Sequence, residues 1–127
     1  MLSSSKKRYL FMIYELGCEG REVHCKDIAA SLKVKRPSVS KMLNFLSEDG
    51  LVDREYYGTV HFTDEGARMA NQLYTNYLIL CTFFFDQLDV SAENARRDAI
   101  FLLCDLSDES MEKISQVVKV YPENINP

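Results

Sequence analysis

Between Asp27 and Gly50 the chain carries two apolar patterns of helical period, separated by a basic turn, and the second opens on a proline. Ile28, Ala29 and Leu32 recur at i, i+1 and i+4, which predicts a short helix over Lys26 to Leu32. Lys33-Val34-Lys35-Arg36 then reads as a turn. Pro37 suits the first position of a new helix, where no amide donor is needed. From Pro37 to Asp49, Val39, Met42, Leu43 and Leu46 mark a buried face, and Ser38, Ser40, Lys41 and Asn44 stand on the opposite one. Gly50, free to take positive φ, stops the helix.

The flanking segments extend this core. Tyr9, Leu10, Ile13, Tyr14 and Leu16 predict an amphipathic first helix ending near Gly17-Cys18-Glu19-Gly20, and Val23-His24-Cys25 reads as a short strand or extended link. Leu51-Val52-Asp53-Arg54 and Val60-His61-Phe62 read as two strands of a hairpin with its turn near Gly58. Thr63-Asp64-Glu65-Gly66 caps a further helix. Helix, helix, Pro-led helix, hairpin and capped helix, in that order, make a winged helix-turn-helix over residues 1–66. Such a second helix enters the major groove of double-stranded DNA, where small side chains allow close approach and donors reach base edges. The expected DNA-contacting residues are Lys35, Arg36, Ser38, Ser40 and Lys41, with Arg54 and Tyr57 (and Tyr56 beside it) meeting phosphates from the wing.

Charge distribution supports that expectation where net charge does not. The formal net charge is −4. Residues 1–70 hold 11 Lys/Arg against 10 Asp/Glu, whereas residues 71–127 hold 4 against 9. Lys33, Lys35, Arg36 and Lys41 fall in a stretch without an acid from Ile28 to Ser47. Distant charges are screened beyond about 8–10 Å, so a local basic patch binds phosphate even on an acidic protein.

Residues 67–127 read as a helical dimerisation domain. A helix from about Ala67 passes through Met69, Leu73, Leu78, Leu80 and Cys81 into Phe83-Phe84-Phe85 and is apolar nearly all round at its end. Ser91 is the expected N-cap of a helix from Ala92 to Cys104, and Ser107 opens a last helix with Met111, Ile114, Val117 and Val118 inside. The fold class is therefore mainly α with a small β wing, and a C2 homodimer is expected, as for other helix-turn-helix proteins that read two half-sites. The longest apolar block, Tyr77 to Phe85, is too short to span a membrane. Scattered cysteines (Cys18, Cys25, Cys81, Cys104) and a polar, basic N-terminus fit reduced thiols in the cytoplasm.

These residues resemble the DtxR/MntR family of metal-dependent transcriptional repressors. The likeness runs through Tyr9-Leu10, Ile13-Tyr14-Glu15-Leu16, Asp27-Ile28-Ala29, Leu32-Lys33-Val34 and Pro37-Ser38-Val39-Ser40-Lys41-Met42-Leu43. It continues through Leu46, Gly50-Leu51-Val52, Tyr57-Gly58, Phe62-Thr63, Gly66 and Ala70, and weakly through Asp105-Leu106-Ser107. It covers residues 5–121 without a trailing SH3-like domain, so the short, manganese-regulator form is the nearer one. The resemblance implies a winged helix, a helical dimer, a palindromic operator and repression, and it gives Pro37, Ser38, Ser40 and Lys41 the recognition-helix positions that such proteins set in the major groove. It also implies a manganese or iron cofactor held by side chains of the first helix, the long helix and a later cluster. In this sequence those positions hold Arg8, Phe11, Leu78, Ile100, Leu103 and Cys104. Manganese and iron take oxygen and imidazole donors, so the family's ligands are absent and no cofactor is expected. Apolar groups at these points would pack permanently where an ion acts conditionally.

Other classes fit less well. Four cysteines would suit a thiol or metal sensor, but Cys81 and Cys104 read more simply as buried small hydrophobes, and His24 and His61 as surface residues. No Gly-rich phosphate loop, HExxH or G-x-S-x-G is present, so catalysis is not expected. A protein-interaction or small-molecule-sensing module on the same fold would use the acidic second half and Phe83-Phe84-Phe85.

Overall fold

The structure is a computed structural model that describes residues 2–54 and 58–118. The chain separates into two compact units, with the division between Asn71 and Gln72. The first unit opens with α1 (Ser4–Leu16), whose N-cap Ser3 accepts the Lys6 amide at 3.2 Å. Tyr9, Leu10, Phe11 and Ile13 form its buried face. Gly17 ends the helix, a single 3₁₀ turn follows over Cys18–Gly20, and α2 spans Cys25–Leu32. At the start of α2 the Asp27 carboxylate accepts the His24 amide at 3.0 Å. At its end Lys33 adopts a left-handed conformation (φ 57°), and the amides of Lys33 and Val34 both donate to the Ala29 carbonyl.

Helix α3 runs from Arg36 to Glu48, so the turn before it is Lys33-Val34-Lys35 and Pro37 takes the second helical position instead of the first. The reason is permissive: amides of the first turn lack intrahelical acceptors, so proline fits either place. Val39, Leu43 and Leu46 are fully buried, and Met42 is half-buried. Strands β1 (Val52–Arg54) and β2 (Val60–Phe62) pair antiparallel, with Val52 opposite Phe62 and Arg54 opposite Val60. His24 bridges Thr59, and the Val60 amide donates to the Val23 carbonyl, so the extended link before α2 joins the base of the wing.

Helix α4 (Asp64–Thr82) begins in this unit. The Thr63 hydroxyl accepts the Gly66 amide at 3.0 Å and donates to the Gly50 carbonyl at 2.6 Å, while the Thr63 amide reaches the Leu51 carbonyl at 3.1 Å. One threonine thus caps α4 and fastens it to the turn after α3.

In the second unit, the rest of α4 passes into a widened π turn over Phe83–Gln87, where the sequence pattern predicts continuous helix. Phe83 and Phe84 are half-buried there and Phe85 is 52% exposed. Helices α5 (Ala92–Asp105) and α6 (Asp108–Val117) start at the expected caps: Ser91 accepts the Asn94 amide and Ser107 the Ser110 amide. Met111 and Val118 are buried, but Val117, expected inside, is 61% exposed. At about 100° per residue it lies one step off the stripe that Met111, Ile114 and Val118 define. Cys104 is buried as expected, whereas Cys81 is only half-buried. His61 is exposed and His24 half-buried. No helix among the described residues is long and apolar enough to cross a membrane.

Candidate nucleic-acid interface

The polar face of α3 is set by the three residues that bury its other side. Val39, Leu43 and Leu46 fix the helix against the first unit's core, so Pro37, Lys41 and Asn44 lie diametrically opposite them and are exposed. Lys33, Val34, Lys35, Arg36 and Ser38 are exposed as well, and Ser40 is half-buried on the flank. The structure therefore brings Lys35, Arg36, Pro37, Ser38, Ser40 and Lys41 together at one helix start and along the turn that follows. A salt bridge of 2.7 Å between Lys6 Nζ and Asp49 Oδ2 ties the far end of α3 to α1.

The start of α3 carries positive charge where most helices of this chain carry an acid. Helices α2, α4, α5 and α6 each carry an acidic residue in the first turn, which suits the positive end of the helix dipole. Helices α1 and α3 have none; α1 is capped by the Ser3 side chain, whereas at α3 cationic Lys35 and Arg36 stand on a turn that no side chain caps. This arrangement lowers local stability, and it gathers positive charge and backbone donors where an anion can dock.

Arg54 reaches this face from β1. Its Nη1 donates to Asn44 Oδ1 at 2.8 Å and lies 3.5 Å from the Ser40 carbonyl, and its Nη2 lies 3.8 Å from Cys25 Sγ. The wing's first strand is thus braced against α3. Tyr57 and Tyr56, the other wing residues expected to meet phosphates, lie outside the described residues. The sequence marks Asn44 only as part of the polar face. Its position four residues after Ser40 and three after Lys41 was the available signal; its partnership with Arg54, ten residues away, had none.

The residues at the positions that the resemblance assigns to the metal ligands suit an ion poorly, since Cys104 alone among them offers a donor, a thiol. On α1, Phe11 is 0% exposed and Arg8 is half-buried. In the second unit Leu103 and Cys104 are buried, and Leu78 and Ile100 half-buried. Phenyl and aliphatic groups offer no lone pair, and a guanidinium adds positive charge. Among the described residues no group of three or more His, Cys, Asp or Glu side chains gathers as a metal site.

Residues 1–60 match the N-terminal DNA-binding domain of iron-dependent repressors. The transcriptional regulator MntR of Escherichia coli O157:H7 is 35% identical over 104 residues, covering 82% of this chain and 66% of that one. The HTH-type transcriptional regulator MntR of Lysinibacillus sphaericus is 28% identical over 124 residues, covering 98% of this chain and 88% of that one. A manganese-dependent transcriptional repressor solved in complex with manganese superimposes with a TM-score of 0.79 at 28% identity, covering 87% of this chain and 51% of that one. The matched region is thus just under two thirds of the first relative and about half of the solved repressor. The order of elements, the basic start of α3 and these likenesses together make the chain a member of the DtxR/MntR family of transcriptional regulators.

Proposed function

We propose that this chain is a sequence-specific DNA-binding transcriptional repressor that acts in the cytoplasm as a homodimer on a palindromic operator, without an ion at the family's usual position. The observation that carries the reading is the start of α3, where Lys35 and Arg36 oppose the helix dipole on an exposed, uncapped turn. Folding alone favours acids there; docking of a phosphate favours what is present. Lys41, Ser38 and Ser40 would then meet base edges, Pro37 would allow close approach, and Arg54 and Tyr57 would work from the wing.

The homodimer rests on the second unit, which exposes Phe85 (52%), Leu88 (53%), Phe101 (53%) and Val117 (61%). The same apolar side chains favour the second reading, a protein-interaction module that keeps the fold. Metal independence rests on the donor set: Phe11, Leu78, Ile100 and Leu103 have nothing to give manganese or iron.

Selection from a random duplex pool, followed by anisotropy titration of the selected site in manganese, in iron and in chelator, tests all of this. A palindrome bound equally well in chelator is the expected result. Binding that appears only with metal would overturn the metal-independent part. Failure to enrich any sequence would favour the interaction module.

A further inference from the structure

We propose that Arg54 is a positioning residue for Asn44, and that the pair makes Asn44 a specificity-determining hydrogen-bond donor toward a base acceptor in the major groove. The inference rests on the DNA-binding reading above. A guanidinium only donates, so the Asn44 amide atom that faces Arg54 at 2.8 Å is the oxygen, which leaves the Nδ2 donors on the far side of an exposed side chain. Asparagine reads adenine by presenting oxygen and nitrogen together to N6 and N7. With one lone pair of its oxygen taken by Arg54, Asn44 presents chiefly its Nδ2 donors, which suit a major-groove acceptor such as purine N7, guanine O6 or thymine O4.

Arg54 is itself held at three points on two helices: Asn44 and the Ser40 carbonyl on α3, and Cys25 Sγ at the start of α2. A guanidinium committed this way is poorly placed to swing out to a phosphate, and well placed to keep one amide rotamer. Asn44 lies opposite the buried stripe of α3, beside Lys41, on the face presented to DNA.

The test uses the site selected by the full chain and its complete set of single-base variants. Affinities are measured for the parent, Asn44→Ala, Arg54→Ala, Arg54→Lys and the double alanine variant at several salt concentrations, each variant first shown to fold by its thermal transition. Expected is a loss of discrimination at the same base pair for Asn44→Ala and Arg54→Ala, about five- to a hundredfold, with no further loss in the double variant. Arg54→Lys, which keeps the charge but not the fork, would not restore it, and the salt slope would stay at the parent's value. The proposal is overturned if Arg54→Ala weakens all sites alike, lowers the salt slope by about one and is rescued by lysine, since that is a phosphate contact. It is also overturned if the two alanine variants act at different base pairs. If the parent selects no sequence, the DNA-binding reading fails and takes this inference with it; if the parent selects one and both variants keep its preferences, only this inference fails.

Discussion

Replacing Gly66 by alanine adds one methyl group, and the structure leaves no room for it. An ideal Cβ at Gly66 falls 1.8 Å from the Leu51 carbonyl oxygen and 2.7 Å from its carbon. An ordinary carbon–oxygen contact is about 3.3 Å, so relief requires a movement of roughly 1.5 Å. The obstacle is backbone, and it is pinned: Leu51 is buried, its amide donates to the Leu46 carbonyl at 2.9 Å, and its carbonyl accepts the Thr63 amide. Moving the first turn of α4 away would break that last bond, about 0.5–1.5 kcal/mol net, and disturb the Thr63 cap, about 1 kcal/mol more. Residual overpacking adds about 1–2 kcal/mol, and the better helix propensity of alanine returns about 1 kcal/mol. The expected net loss is therefore about 1.5–3.5 kcal/mol. In urea unfolding followed by circular dichroism, a slope of about 1–3 kcal/mol/M converts this to a midpoint lower by roughly 1 M. Gly50 provides the contrast, because its φ is +76° and a Cβ there meets nothing within 4 Å. Gly50→Ala would cost about 1–2 kcal/mol through backbone strain alone, and Gly50→Asn less, whereas at Gly66 the cost is steric and grows with the size of the side chain. An unchanged or raised midpoint for Gly66→Ala would refute the reasoning, since it would mean that α4 does not pass against Leu51.

Phe11→Ala removes a fully buried ring from α1 and would cost about 3–5 kcal/mol in the same assay; unchanged stability would contradict its place in the core. Lys41→Ala combined with Arg36→Ala would weaken binding to the selected duplex by about 1–3 kcal/mol for each base-reading contact and flatten the salt dependence for each phosphate contact, as anisotropy titration would show. Lys6→Ala breaks a partly exposed ion pair and would cost at most about 1 kcal/mol, read from the thermal transition. Burial pushes the Tyr9 phenol above its ordinary value of 10.0. That contribution to stability is fully present below pH 10.0 and is lost as pH rises through the folded value; Tyr9→Phe would remove this part of the alkaline decline in a pH series of urea midpoints.

Most helices were legible in the sequence because their signals are local. Ser91 and Ser107 satisfy amides three residues on, Pro37 sits in a first turn, and the Val39, Leu43, Leu46 stripe follows from 3.6 residues per turn. The same periodicity, by elimination, placed Lys41 and the hydroxyls on the outer face of α3. What sequence reading missed depends on residues far apart in the chain. Arg54 was placed by its strand as a phosphate contact, but its partnership with Asn44 exists because β1 and α3 pack side by side. Gly66 looked like part of a capping sequence; only the approach of α4 to Leu51 shows that its missing side chain matters for space and not for backbone freedom. The π turn at Phe83–Gln87 and the outward Val117 interrupt patterns that continue unbroken in the sequence. Sequence alone determined which segments are helices and which of their faces are apolar, since those are set by neighbours three and four residues away. Tertiary structure decided which polar groups meet and where backbone approaches backbone, because these depend on how the elements pack.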